Sequence, residues 1–182
     1  KEIGGEIISA DSMQVYKHMD IGSAKIRPEE MEGVPHFLVD ELKPWEEFHV
    51  VRFQQMAKAA MEKIYARHHI PIVVGGTGFY IQALLYDVDF SENDGDASYR
   101  HGLEEIARKE GGQVLHEKLR SVDKMAAEQI HANNVKRVIR ALEFYHQTGQ
   151  RISEHNERER RKESPYRFVY FVLNDDRKRL YE

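Results

Sequence analysis

Cysteine is absent from all 182 residues of the sequence. Without it the protein has no disulfide bonds, no zinc site built on thiolates and no cysteine nucleophile, and we expect it to be cytoplasmic. Long apolar runs are missing too, because no stretch approaches the roughly 20 residues that a membrane-spanning helix needs. We therefore expect a soluble protein with no membrane partner.

A surplus of positive charge is lacking as well: 27 Lys and Arg residues are set against 31 Asp and Glu residues, for a net charge of -4. This balance argues against a protein that coats nucleic acid with a basic surface. Between residues 134 and 162, however, basic residues outnumber acidic ones eight to four. We predict a local basic face in an acidic protein.

Apolar residues make up 41% of the sequence, which is enough for a globular core. Runs rich in Ile, Val and Phe predict strands at residues 6–9, 36–40, 71–74 and 168–173. Between the second and third runs, apolar residues recur every three or four positions, which predicts a helix. Strand, helix and strand in this order are typical of a parallel α/β sheet.

After residue 96 the pattern changes to one helix after another, with Gly and Asn between them. The charged run at residues 157–164 predicts a solvated linker. We expect an all-helical insertion, residues 93–163, in a discontinuous α/β core, residues 1–92 and 164–182. The two ends of the chain look like helix termini, so we expect an internal segment of a longer protein.

Two strands end in residues suited to chemistry. Asp11 and Ser12 follow the first strand, and ligands of open α/β sheets collect at the carboxyl ends of strands. The third strand runs into a Gly-Gly-Thr-Gly turn at residues 75–78 and then a helix, whose free N–H groups suit phosphate oxygens. Each feature has a plainer interpretation, because Asp and Ser also cap helices and glycines also form tight turns.

Basic residues provide two further candidates. Lys25 lies in a Gly-Ser-Ala loop from which it could reach a phosphate. In the last long helix, steps of about 100° place Arg137, Arg140 and Phe144 on one side, where arginines can bind phosphates and a ring can stack on a base. The alternative is a solvated basic face with Phe144 packed on a neighbouring helix. The ten histidines show no His-x-x-x-His spacing, so we expect no metal site within this segment.

Taken in order, several stretches of the chain resemble the tRNA dimethylallyltransferases, also called tRNA isopentenyltransferases. They are "GEIISADSMQVYKHMDIGSAK", "GVPHFLVD", "PIVVGGTGFYIQALL" and the helical segment that ends in "NNVKRVIRALEFYHQTGQRIS". The resemblance implies a P-loop NTPase-like parallel sheet core with an inserted all-helical domain. It also implies transfer of a dimethylallyl group from dimethylallyl diphosphate to N6 of the adenosine just 3′ of the tRNA anticodon (adenosine-37), with Mg2+.

The resemblance assigns roles by position. It implies that Asp11 is the general base, that Thr77 lies in the reaction channel and that Arg100 lines the site. Contacts with the tRNA are implied for Asp11, Ser12, Met13, Gln14, Lys136, Arg137, Val138, Ile139 and Arg140. The diphosphate or its channel is assigned to Gly75, Gly76, Thr77, Gly78 and Lys25. The implied partners are the tRNA anticodon stem-loop and dimethylallyl diphosphate, and we expect a monomer.

The chain departs from the family pattern in some places. The phosphate-binding loop Gly-x-Thr-x-x-Gly-Lys-Thr, from which we expect most magnesium ligands, is not in this sequence and should lie upstream of Lys1. Asp123-Lys124 and Asn133-Asn134 replace the usual Asp-Pro and Asn-Asp at two helix starts, where Asn can still cap.

Two other activities stay open at this point. One is an adenylate isopentenyltransferase that acts on a free adenine nucleotide, and the other is a P-loop nucleotide kinase. The basic helical insertion favours tRNA, since a free nucleotide needs no such surface.

Overall fold

Three parallel strands and seven helices form the part of the chain that the computed structural model describes, which is residues 2–90, 97–174 and 179. In chain order they are β1 (Gly5–Ser9), β2 (His36–Phe37), α1 (Val50–Ala66), β3 (Ile70–Val74), α2 (Gly78–Leu85), α3 (Ala97–Glu110), α4 (Gly112–Val122), α5 (Lys124–Gln129), α6 (Val135–Thr148) and α7 (Ile152–Arg160). Within these residues, no helix combines the length and apolar character that crossing a membrane requires.

The sheet has the order β2-β1-β3, and both pairs of neighbours are parallel. Ile7 of β1 lies opposite His36 on one side and Ile72 on the other. As the central strand, β1 is mostly buried, and its Ile8 has no exposed surface. The chain crosses from β2 to β3 through α1, so the predicted strand, helix and strand of a parallel α/β fold are confirmed.

Helix α1 supplies most of the core beside this sheet. Its apolar residues recur at the predicted spacing of three and four, and Phe53 is completely buried. Burying a side chain of this size contributes about 1.5–3 kcal/mol to folding. The buried members of this core are Ile8, Ala10, Leu38, Phe53, Ala57, Ala60, Met61, Ile64 and Leu84.

Helices α3 to α7 pack around a second apolar core that includes Leu103, Leu119 and Leu142. Asp123 ties this group together, because its buried carboxylate accepts hydrogen bonds from two helices. Oδ1 accepts from the Ala126 N–H at the start of α5, and Oδ2 accepts from the Ser153 N–H in the first turn of α7. A capping carboxylate of this kind is worth about 1 kcal/mol at each helix. Asp123 therefore caps α5, whereas the Asn134 side chain, which the sequence suggested as a cap, makes no capping hydrogen bond to α6.

Three sequence predictions are wrong at this level. Residues 168–173 form no strand, and their apolar side chains are exposed, because a strand needs a paired neighbour that an apolar run cannot reveal. β2 ends at Phe37, since Leu38 and Asp40 adopt positive φ angles of 62° and 54°, which break an extended strand. The charged run predicted as a linker is helical up to Arg160. The predicted boundary between residues 92 and 93 lies outside the described residues.

A buried carboxylate fixes the amino-terminal end of the sheet. Glu6 in β1 is 1% exposed, and its two oxygens accept hydrogen bonds from the Arg67 guanidinium, one of them at 2.9 Å. The Nδ1 atom of His69 lies 2.5 Å from the same carboxylate. These hydrogen bonds, led by those from Arg67, hold the pKa of Glu6 below its ordinary value although burial acts in the opposite direction. The cluster joins β1 to the turn between α1 and β3.

We predict that Glu6→Gln lowers the free energy of unfolding at pH 7 and the melting temperature by several degrees, and that this loss shrinks in acid. The carboxyl has a lower pKa in the folded chain than its ordinary 4.5, so its stabilisation is present above that pH and is lost as the pH falls through the folded pKa. Urea unfolding of both chains at pH 7 and at about pH 3 measures the difference.

Glu105→Gln is the matched control for this change. Glu105 pairs with Arg108 and Lys109 on the surface of α3 and is more exposed than Glu6, so its loss should cost far less. An equal loss at both pH values in Glu6→Gln would contradict the ionic role of Glu6.

Candidate active site

Asp11 lies at the carboxyl end of β1 and organises the turn that follows. Its Oδ1 accepts hydrogen bonds from the backbone N–H groups of Met13, at 2.7 Å, and Gln14, at 3.2 Å. Asp side chains favour local turns of this kind, so Oδ1 has a structural role in the turn. The other oxygen, Oδ2, accepts no hydrogen bond from the described residues and remains available to a ligand.

The end of β3 lies directly against the end of β1. The N–H of Ala10 donates to the carbonyl of Val74 at 2.7 Å, and the N–H of Thr77 donates to the carbonyl of Ala10 at 3.3 Å. A Cβ atom at Gly75 would lie 2.4 Å from the Ala10 carbonyl oxygen, closer than atoms can approach. Gly75 therefore permits the contact that brings the Gly-Gly-Thr-Gly turn beside Asp11.

Thr77 begins helix α2 at this edge of the sheet. It occupies the N-cap position, but its side chain makes no capping hydrogen bond, so the hydroxyl is not committed to the helix. Cβ atoms added at Gly76 or Gly78 would meet nothing within 4 Å, so the turn leaves open space on its outer side. The amino terminus of α2 and the Thr77 hydroxyl can both donate to an anion placed there.

The remaining residues of the Asp11 turn differ in exposure. Met13 is 42% exposed and Ser12 is partly exposed. Gln14 points inward: its Oε1 accepts from the Ser9 hydroxyl at 3.0 Å, and its Nε2 donates to the carbonyl of Ala24 at 3.0 Å. In this arrangement the Gln14 amide is occupied by the protein, and its predicted contact with the adenosine stays a prediction.

Lys25, which was predicted to bind a diphosphate, is instead surrounded by acceptors of the protein itself. Its ammonium donates to Asp20 at 2.7 Å, to Asp40 at 2.6 Å and to the Tyr16 carbonyl at 2.6 Å. Sequence reasoning missed both carboxylates, because they lie five residues before and fifteen residues after Lys25, a spacing that fits no periodic pattern. The contact of Lys25 with a diphosphate stays a prediction.

Arg100 is held in the helical region by an acid that sequence reasoning also missed. It donates two hydrogen bonds of 2.8 Å to the buried carboxylate of Glu143, which links α3 to α6. This pair raises the pKa of Arg100 above its usual value. The Arg100 side chain is still 56% exposed, so it can contact a ligand from this position. Its site-lining role stays a prediction.

The basic side of α6 carries Lys136, Arg137 and Arg140, which are exposed and pair with no acidic side chain in the part of the chain that the structure describes. Val138 and Ile139, between them, are buried in the helical core, and their predicted contact with tRNA stays a prediction. We call Lys136, Arg137 and Arg140 the α6 cations. They form a surface to which phosphates have direct access.

The prediction that Phe144 accompanies the α6 cations is wrong. Phe144 is 5% exposed and its ring packs on His155 of α7, with the ring centres 5.0 Å apart. The part of the alternative interpretation that places Phe144 against a neighbouring helix is confirmed. The prediction from the helical wheel failed because the buried surface of α6 extends around most of the helix and includes the side on which Phe144 lies.

Comparison with known proteins gives a consistent result. The sequence model of the IPP transferase family matches residues 14–182. A tRNA dimethylallyltransferase of Lachnoclostridium phytofermentans is 62% identical over the whole chain, which spans 58% of that protein. One from Geobacillus thermodenitrificans is 51% identical over 181 residues, and the chain spans 57% of it.

Solved structures agree with these sequence matches. The full-length tRNA isopentenylpyrophosphate transferase of Bacillus halodurans is 48% identical, with a TM-score of 0.50 over 82% of this chain and 49% of that one. A eukaryotic dimethylallyltransferase acting on tRNA is 35% identical, with a TM-score of 0.74 over 86% of this chain and 39% of that one.

We predict that Gly75→Ala destabilises the chain by about 1–3 kcal/mol, because the new methyl group would overlap the Ala10 carbonyl and force the two strand ends apart. Urea unfolding of the two chains measures the difference. Gly76→Ala is the control, since its methyl group would enter open space and should change stability by less than about 0.5 kcal/mol. Equal effects at the two positions would show that the strand ends are not in close contact.

Proposed function

The chain belongs to the IPP transferase family, and we propose that the full-length protein transfers a dimethylallyl group from dimethylallyl diphosphate to N6 of adenosine-37, just 3′ of the tRNA anticodon. Because the chain spans 58% of its Lachnoclostridium relative, this activity is proposed for the full-length protein. The observation that carries the proposal is the meeting of Asp11 and the Thr77 turn at one edge of the sheet.

The acceptor needs a base because the exocyclic amine of adenine is a poor nucleophile, with its lone pair delocalised into the ring. Asp11 Oδ2 accepts one N6–H, which orients the amine, and it takes that proton as the new C–N bond forms. The bond between the allylic carbon and the diphosphate oxygen breaks, and its electron pair leaves with the diphosphate. The Thr77 hydroxyl donates a hydrogen bond to a departing oxygen.

The acceptor base must leave its stack to reach Asp11. Unstacking costs less in a single-stranded loop than in a duplex, so a nucleotide of the anticodon loop is a suitable substrate. A site that closes around it also excludes water, which would otherwise capture the allylic carbon.

The α6 cations support tRNA rather than a free nucleotide as the acceptor. An exposed cation without an acidic partner has its full charge available for a phosphate. Three such cations on two successive turns of one helix suit a sugar-phosphate backbone, which a mononucleotide lacks. We propose that they contact the anticodon stem-loop.

Mg2+ in proteins keeps several waters and is often held by only one or two carboxylates together with substrate phosphates. Among residues 2–90 and 97–174, no three Asp, Glu or His side chains lie close enough together to hold a metal ion. None of the steps proposed for Asp11 and Thr77 passes through a metal ion. We propose that Mg2+ is bound mainly by the phosphate-binding loop of the full-length protein, which lies outside this chain. We also propose that the enzyme is a cytoplasmic monomer.

We predict that Asp11→Asn in the full-length enzyme lowers kcat for transfer to tRNA by about 10²–10⁴-fold, because an amide cannot take the N6 proton. Labelled dimethylallyl diphosphate measures transfer, and filter binding should show a tRNA Kd within about threefold of wild type. Asp89→Asn, which removes the same charge from the segment leading into the helices, should leave kcat unchanged. Normal turnover in Asp11→Asn would rule out the general-base role.

We predict that Arg137→Ala combined with Arg140→Ala weakens tRNA binding and reduces the slope of log K against log salt by about two, one for each phosphate that an arginine no longer neutralises. Titrations over a range of salt concentrations measure the slope. The control is Arg108→Ala with Lys109→Ala, which removes the same charge from α3, where both side chains already pair with Glu105. The same slope change in both double variants would indicate a general charge effect instead of direct phosphate binding by α6.

A further inference from the structure

The loop of residues 17–24 folds back against the Asp11 turn, and one amide connects the two. The Gln14 side chain accepts a hydrogen bond from Ser9 at the end of β1. Its Nε2 donates to the carbonyls of Ser23 and Ala24 at 3.3 and 3.0 Å. Gln14, three residues after Asp11, therefore connects the turn that carries the proposed general base to this loop.

Lys25 closes the same loop from its other end. Its side chain is 4% exposed, and the ammonium donates to Asp20 within the loop, to Asp40 after β2 and to the carbonyl of Tyr16. Tyr16 follows the Asp11 turn, and the Asp40 N–H donates back to the Gln14 carbonyl at 3.0 Å. Lys25 thus joins the turn, the loop and the segment after β2 at one point.

The hydrogen-bonding capacity of this ammonium is fully used. An ammonium has three hydrogens, and Lys25 has three acceptors between 2.6 and 2.7 Å away. Although burial opposes it, hydrogen bonding to Asp20 and Asp40 keeps the pKa of Lys25 above its usual value. A diphosphate could take one of these hydrogens only by displacing an acceptor, and the two carboxylates beside it would repel the anion.

We propose that Lys25 is a positioning residue, which clamps the 17–24 loop and the Asp11 turn so that the free oxygen of Asp11 is aimed at the acceptor amine. The inference rests on the proposed function and replaces a diphosphate-binding role for Lys25. A displacement of a reacting group by about 1 Å can cost about a hundredfold in rate. Loss of the clamp should therefore lower turnover and leave the affinity for both substrates nearly unchanged.

The test uses Lys25→Met in the full-length enzyme, with hydrogen exchange and kinetics measured on the same preparation. Amide exchange in residues 12–17 should become about tenfold faster, because those amides lie in the turn that the clamp holds. With tRNA as acceptor, kcat should fall by about a hundredfold, and KM for each substrate should stay within about twofold.

Lys58→Met is the matched control, since Lys58 also pairs with an aspartate, Asp87, at a position outside the turn and loop. It should leave exchange in residues 12–17 and kcat unchanged. If Lys25→Met fails to fold, Asp40→Asn tests the same clamp, because Asn tolerates the positive φ of Asp40 and removes one charged acceptor. It should speed exchange in the same amides.

Two results would overturn the proposal. An increase in KM for dimethylallyl diphosphate with kcat retained would make Lys25 a ligand of the donor. Unchanged exchange in residues 12–17 would show that Lys25 does not hold the turn. A wild-type enzyme that transfers nothing to tRNA would instead refute the proposed function, and the exchange measurement would still decide the clamp.

Discussion

The close approach of the carboxyl ends of β1 and β3 is the constraint on which the candidate site depends. Only glycine at position 75 leaves room for the Ala10 carbonyl, and that contact sets the start of α2 beside the Asp11 turn. A base with one free oxygen and a hydroxyl at a helix start are thereby held together on one edge of the sheet. Neither strand end would provide this arrangement alone.

The sequence predicted the parts of this arrangement that depend on local pattern. A strand followed by Asp11 and another followed by a glycine turn were both predicted, and the structure brings the two strand ends together at one sheet edge. The run at residues 168–173 misled because an apolar strand pattern does not identify a partner strand. The exposure of Phe144 was predicted wrongly because periodicity gives the angular position of a residue around a helix but not how much of the helix surface is buried.

Long-range ion pairs were the features that sequence reasoning could not find. The partners of Lys25 and Arg100 are carboxylates brought close by folding, at separations without periodic meaning. These pairs decide which cations are free to bind a ligand. Lys25 is saturated by the protein, whereas the α6 cations have no acidic partner among the described residues. This difference in pairing favours a positioning role for Lys25 and a substrate-binding role for the α6 cations.

We infer that the Asp11 edge and the α6 cations belong to an enzyme that modifies tRNA. The most direct measurement offers the full-length protein unmodified tRNA and AMP in parallel reactions with labelled dimethylallyl diphosphate and magnesium. We expect label in tRNA alone, on the adenosine just 3′ of the anticodon. Label in AMP alone would assign a free nucleotide to the acceptor site, and label in neither would contradict prenyl transfer itself.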